Sequence, residues 1–385
     1  MPDLQIVLVA EAEIATTQII EGMLRECARR GLHWTKTSLA TLCPADLGTT
    51  GVPLFVRCDA PLLRSWVDTL TRARRPYLYY LDDNFWRIDG DSALAHHYRH
   101  PAVRGSIEHA VANASLVLTQ SPELAEFVGR FSTRVVVLPT FFDDALVASE
   151  SGGSTGEIRI GFAGSPSRID DLGVLVPLIH PVLDLDARVV FEFAGVMPSG
   201  LAACRRVRHF PHVRDYATYV AFQASRRWDI GLAPLRDTEA NRCKTDNKFR
   251  EFAACGIAGA YADVAPYRRS VESGVTGLLV AEHSLDWQMA ISRLVTDPTL
   301  RQHLGRQARI VAHRRYALNV NAPAWMERLT ANGVPIGARR MLTAQPAWRR
   351  SLAALRLRQL QVREAFRVGG VAEVARKVAA LLTRR

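Results

Sequence analysis

The sequence predicts an α/β protein: two doubly wound Rossmann-like domains with parallel sheets, facing a cleft, followed by a basic helical C-terminal tail. Three observations predict it. Short apolar runs alternate with segments of helical length and periodicity, the pattern of repeated strand–helix–strand units. A Ser/Gly-rich stretch, SESGGSTGE at 149–157, interrupts this alternation, which then begins again. Charge is segregated: of a net +11, residues 331–385 supply ten through twelve Lys or Arg against two Glu.

Taken in order, QIVLVA is a short apolar run, as expected of a buried parallel strand. Residues 15–30 read as a helix ending at Gly31. PLFVRCD follows as a strand, 61–74 as a helix and YLYYLDD as the next strand. ASLVLTQ and RVVVLPT complete the first domain, with helical segments near 101–113 and 121–131. Beyond the linker, EIRIGFAG is a strand, DDLGVLVPLIHPVL is helical, and RVVFEFAG is a strand. YATYVAFQASRR is a helix and WDIGLAPL a strand; a helix from about 245 to 255 leads to the strand IAGAYADV, and 284–312 are helical. The resulting domains are 1–148 and 158–314, joined by 149–157. Residues 315–336 form a helix returning to the first domain, and 337–385 form the tail. Open α/β sheets bind ligands beyond the carboxyl ends of their strands, so the cleft between the two sheets is the expected active site.

Composition sets limits. No run of about 18 apolar residues is present, so no membrane-spanning helix is expected. MPDLQIVLVAEAE lacks a basic leader and reads as a first strand. Cys27, Cys43, Cys58, Cys204, Cys243 and Cys255 have no metal-site spacing and read as reduced thiols of a cytoplasmic chain. His96, His97 and His100 cluster, but no carboxylate stands at a zinc-like spacing. No metal and no cofactor are expected.

The densest chemistry lies in CKTDNKFREFAACGIAGAYAD, 243–263. WDIGLAPL ends at the carboxyl edge of its sheet, and the loop RDTEANRCK leads into a helix that Thr245 or Asp246 can cap. A helix start aimed at a cleft favours anions. Lys244 and Lys248 stand there, within reach of a diphosphate. Glu251 follows Lys248 by three residues on the same face and can accept two hydrogen bonds from a ribose diol. Gly256 ends the helix. Spacing alone equally allows Lys248 and Glu251 to be an ordinary surface ion pair.

The wider string resembles the donor-binding segment of retaining GT-B glycosyltransferases, the family 4-like group. Asp229, Pro234, Leu235, Asn241, Lys244, Lys248, Glu251 and Gly256 stand at that group's positions, and ESGVTGLLV matches its next segment. Thr245 replaces a serine and Ala258 a proline. Cys243 stands where many members carry a further glutamate near the donor sugar, and the turn AEAEIATT lacks the usual glycines. The match covers most of 157–330; the first half matches mainly in layout. The resemblance implies the GT-B fold and a nucleotide-sugar donor on the second domain, with Asn241, Lys244, Thr245, Lys248 and Glu251 binding it. Glu251 would contact the ribose, and Lys244 or Lys248 would stabilise the departing diphosphate.

Two further stretches complete the candidates. IGFAGSPSRIDDL offers backbone N–H groups at Gly164 and Ser165, with Arg168 beside them, as a phosphate loop; a plain turn before a helix capped by Asp170 is the other reading. YLYYLDDNFWRIDG sets Asp82 and Asp83 at a strand's carboxyl end among Tyr79, Tyr80, Phe85 and Trp86, a mixture suited to sugars. Asp82 or Asp83 is the candidate for orienting or deprotonating an acceptor hydroxyl, with Arg57, Tyr80 and Trp86 as acceptor contacts. A helix cap with a hydrophobic staple is the alternative. In the tail, Trp348, Leu352, Leu355, Val362 and Phe366 form one apolar stripe and Val371, Val374, Val378, Leu381 and Leu382 another, flanked by arginines. Such helices suit an anionic membrane surface or docking on protein; no nucleic-acid motif accompanies them.

The expectation is therefore transfer of a sugar from a nucleoside diphosphate-sugar to a hydroxyl of a growing or lipid-linked glycan. It would occur with retention, in the cytoplasm or peripherally on the inner membrane. The rivals are a phosphorylase or epimerase, a transferase using a nucleoside monophosphate-sugar, and a non-catalytic glycan- or partner-binding subunit.

Overall fold

A computed structural model describes residues 5–147 and 156–331. Most of the expected linker and all of the tail at 337–385 lie outside the described residues. The chain divides into two compact units. Within the described residues, one comprises 5–13, 27–138 and 326–331, and the other 14–26, 139–147 and 156–325.

The first unit holds a six-stranded parallel sheet: β1 (Gln5–Ala10), β2 (His33–Ser38), β3 (Gly51–Val56), β4 (Leu78–Tyr80), β5 (Leu116–Thr119) and β6 (Val135–Val137). Their order is β2-β1-β3-β4-β5-β6. The inner strands are apolar runs because helices cover both faces of a parallel sheet. β3 is buried along its whole length and pairs with β1 from Gln5↔Gly51 to Ala10↔Val56. β2, HWTKTS, is an edge strand with a partly exposed, polar surface, so it carries no apolar run to announce it. Helix Pro61–Arg72 buries Leu62, Leu63, Trp66, Val67 and Leu70 on one stripe, the spacing of an amphipathic helix.

The second unit repeats the design: β7 (Ile158–Gly164), β8 (Val189–Gly195), β9 (Val207–Phe210), β10 (Ile230–Ala233), β11 (Ala258–Ala262) and β12 (Leu278–Val280). The order is β12-β11-β10-β7-β8-β9, again all parallel. Gly161 in β7 faces Trp228; a Cβ there would lie 1.8 Å from the indole. Helix Tyr216–Arg226 is capped by Asp215, whose carboxylate accepts from the Thr218 N–H. The Gln18 side chain reaches the same helix start, donating to Asp215 at 2.9 Å and accepting from the Tyr216 N–H at 2.6 Å.

Three expected elements take other forms. The segment after β7 is a 3-10 helix over Pro166–Leu178 followed by a short α-helix, Ile179–Leu183. Asp170 therefore lies inside the 3-10 segment and caps nothing. Residues 284–312 split into Ser284–Thr296 and Pro298–Val311, because Pro298 cannot continue the preceding helix and starts a new one, capped by Asp297. Residues 82–92 are irregular, and the next helix, Ala93–Arg99, is capped by Ser92, which removes the cap-and-staple reading of DDNFW.

Candidate functional site

In the second sheet the connections run in opposite directions from β7 and β10, and the carboxyl ends of these two strands mark its topological switch point. β7 ends at Gly164, in register with Gly195 of β8. Gly195 has φ +92°, and a Cβ on it would lie 2.0 Å from the Gly164 carbonyl oxygen, so both the conformation and the approach of the two loops require glycine. Ser165 shares a hydroxyl contact of 2.9 Å with Ser167. Arg168 bridges the switch point: it donates to the Pro234 carbonyl beyond β10 at 2.9 Å and pairs with Asp171 at 2.9 Å. Asp171 in turn accepts from the Arg236 N–H at 3.0 Å.

The loop after β10 is shaped by its own side chains. Asn241 is buried and donates to the Arg236 carbonyl at 2.9 Å. Cys243 is buried. Lys244 and Thr245 are half-buried just before helix Asn247–Ala254. The expected cap does not form. Asp246 holds the N-cap position, but its carboxylate turns to Arg250 at 2.8 Å and Ser270 at 2.5 Å, and no side chain caps the helix. Burial disfavours the Asp246 anion, but Arg250 and Ser270 outweigh it and the net shift is downward. Thr245 bonds Asn247 at 3.1 Å. The helix ends as expected: Gly256 has φ +69°, and the Ile257 N–H closes back on the Phe252 carbonyl at 2.9 Å.

Lys248 and Glu251 do form an ion pair, but not a surface one. The Lys248 Nζ lies 2.6 Å from Glu251 Oε2, with side-chain exposures of 20% and 4%. Tyr219, from helix Tyr216–Arg226, completes a triangle. Its hydroxyl accepts from Lys248 at 2.7 Å, lies 2.9 Å from Glu251 Oε2, and is backed by buried Gln223 at 2.8 Å. The Lys248 ammonium also stands over the Tyr219 ring, 5.0 Å from its centroid. Burial pushes the Tyr219 phenol well up, so it stays protonated. His212, beyond β9, is held below its ordinary range by partial burial and then by Arg214 and Lys248. Tyr219 escapes a reading by sequence motif because it lies 29 residues from Lys248 in the chain.

In the first unit the switch point lies between β1 and β3. Arg57 follows β3 with φ +51°, a backbone conformation that costs energy in an arginine. Its guanidinium lies 3.3 Å from Asp82 and 3.5 Å from Asp83, and 4.8 Å over the Phe85 ring. Burial opposes its charge, but Asp82 and Asp83 outweigh burial and raise its pKa. The three expected residues thus come together, with Arg57 at the centre and both carboxylates engaged by it. Two expected acceptor contacts are spent on packing. Tyr80 is buried and donates to Gln120 at 2.7 Å. Trp86 stacks on Phe131 at 5.1 Å and donates to Glu108 at 3.0 Å.

The glycine-free turn AEAEIATT has a role that sequence reasoning missed. Glu11 Oε1 accepts from the N–H groups of Asp59 at 2.7 Å and Ala60 at 2.8 Å, serving the start of helix Pro61–Arg72, whose N-cap Ala60 has no side chain to do so. Asp59 also meets His97 at 3.1 Å. Crowding by the surrounding protein, then Asp59, raise the Glu11 carboxyl to about 7. The residue is nonetheless exposed by surface area. Water reaching the carboxylate screens part of that crowding. Among the described residues no group of three or more His, Cys, Asp or Glu could hold a metal ion.

No protein-family model matches the chain, and no curated protein matches it in sequence. Solved structures match it in fold. A crystal structure of HepE from Anabaena in complex with UDP and glucose superposes with a TM-score of 0.60 at 15% identity, covering 84% of this chain and 99% of that one. Sucrose-phosphate synthase from Thermosynechococcus elongatus gives a TM-score of 0.62 at 13% identity, covering 86% and 100%. WaaG, a glycosyltransferase involved in lipopolysaccharide biosynthesis, gives 0.56 at 13% identity, covering 85% and 100%. The two doubly wound parallel sheets are those of the GT-B fold.

Proposed function

We propose that this chain is a glycosyltransferase that moves a sugar from a nucleoside diphosphate-sugar to a hydroxyl of a growing glycan, with retention at the anomeric carbon. The observation that carries the reading is the start of helix Asn247–Ala254. A helix N-terminus with no side-chain cap lies beside Lys248 and Lys244, and Glu251 one turn on is a buried carboxylate. N–H dipoles and ammonium groups suit a diphosphate. A carboxylate at that distance suits a ribose diol. Gly164, Ser165 and Arg168 would serve the phosphates from the neighbouring loop. As the sugar leaves, negative charge grows on the diphosphate, and fixed positive groups there stabilise the transition state more than the ground state. HepE has been crystallised with UDP and with UDP-glucose, which supports a uridine diphosphate-sugar as the first donor to try.

Asp82, Asp83 and Arg57 are our acceptor candidates. Because Arg57 engages both carboxylates, they suit orienting an acceptor hydroxyl better than deprotonating it. The acceptor class we favour is a bacterial surface or lipid-linked glycan, met at the cytoplasmic face of the membrane through the basic segment 337–385. No metal is required by this reading, since side chains and N–H groups face the phosphates. A second reading, a non-catalytic glycan- or partner-binding subunit, draws on buried Cys243 at the position where related enzymes carry a glutamate.

The test is thermal unfolding of the purified protein with UDP, GDP, dTDP, ADP and CMP. A ligand at 100 times its dissociation constant adds about 2.7 kcal/mol to the folded state. A shift with one diphosphate, lost in Glu251→Ala, is expected. A shift with CMP alone would favour a monophosphate-sugar donor, and no shift with any ligand would favour the binding subunit.

A further inference from the structure

We propose that Lys248 and the ligand's ribose hydroxyls exchange places on Glu251, with Tyr219 as the positioning residue that holds the lysine until the diphosphate arrives. This rests on the donor-site reading above. Glu251 Oε2 already receives Lys248 at 2.6 Å and has the Tyr219 hydroxyl at 2.9 Å. With 4% of its side chain exposed, this carboxylate cannot fall back on bulk water and must keep donors around it. A ribose diol supplies two O–H donors that compete with Lys248 for this carboxylate. The ammonium is a compact charge on a flexible stem and can turn without moving the helix. Lys248 stands in the first turn of a helix with no side-chain cap, and Arg214 is a second positive charge that, like Lys248, holds His212 down. Positive charge is unfavourable there unless an anion is present. The diphosphate is that anion.

A nucleoside without phosphates therefore competes with Lys248 for Glu251, whereas the diphosphate gives the lysine a new partner. This makes a prediction of opposite sign for two ligands. Titration calorimetry on the full chain compares uridine and UDP, or the nucleoside and diphosphate of whichever base the panel selects. In Lys248→Met, uridine binding tightens about fivefold while UDP binding weakens at least about tenfold, the usual size of a site-to-site coupling. Tyr219→Phe keeps the ring under the ammonium and removes only the hydroxyl, so it tests the same exchange with little risk to folding. It is expected to tighten uridine and UDP by a similar factor, because it loosens the resting position of Lys248 that both ligands displace. Unchanged or weaker uridine binding in both variants overturns the exchange while leaving the donor site standing. Failure of the wild-type chain to bind any nucleoside diphosphate overturns the donor-site reading itself, and the exchange with it.

Discussion

Glu11 serves a helix start from 48 residues away, and this has a consequence for pH. Its carboxyl is raised from the ordinary 4.5 to about 7, so the folded state holds a proton that the unfolded chain has released. The associated stability is fully present below about 4.5 and is lost as pH rises through about 7. In Glu11→Gln the amide oxygen can still accept both N–H groups but cannot ionise. Calorimetry from about pH 5 to about pH 8 should show the wild-type midpoint falling relative to the variant. A parallel pair of profiles would mean that water at the exposed carboxylate cancels the effect. Arg57→Met should be harsher: it leaves Asp82 and Asp83 side by side without their cation, a loss of about 2 kcal/mol in chemical denaturation after allowance for their partial exposure. At this scale the sequence speaks through spacing. Lys248 and Glu251 are legible as partners because three residues on one helix put them on one face. Tyr219, 29 residues from Lys248, and Glu11, 48 from Asp59, become partners only through the topology.

Helices and strands follow the same logic. Apolar runs such as QIVLVA and IRIGFAG are unmistakable because parallel strands covered on both faces have nowhere to put polar groups. The edge strands β2 and β9 lack that constraint: HWTKTS and VRHF keep exposed polar residues and pass for loops. The 3-10 helix at Pro166–Leu178 is likewise invisible to a 3.6-residue periodicity, and Pro177 within it removes a donor that an α-helix would use. Element packing also yields a test. Gly195→Ala would set a Cβ 2.0 Å from the Gly164 carbonyl and force φ +92° on a side chain that resists it. The expected cost is about 2–3 kcal/mol in denaturant unfolding. Because the displaced carbonyl belongs to the proposed phosphate loop, diphosphate binding should weaken in the folded variant as well. A variant that unfolds earlier yet binds UDP unchanged would separate this loop from the donor site.

Across the whole molecule, charge is divided as sharply as the fold. The first 330 residues are nearly neutral, and the last 55 carry a net charge of +10. Deleting 337–385 should abolish binding to vesicles of anionic lipid, measured by co-sedimentation, while leaving the diphosphate-dependent thermal shift intact. Vesicle binding that survives the deletion would move the membrane contact to the body. No helix among the described residues is long and apolar enough to cross a membrane. The Gln18 contact at the start of helix Tyr216–Arg226 bears on how this protein is made. Residues 14–26 are made well before the rest of the second unit, yet they belong to it and meet Asp215 and Tyr216 only after some two hundred more residues have been added. The second unit must therefore wait for, and then recruit, a segment made long before it. A gene fragment that begins at the apparent boundary, near residue 139, would encode an incomplete fold, and supplying residues 14–26 in trans is the way to restore it.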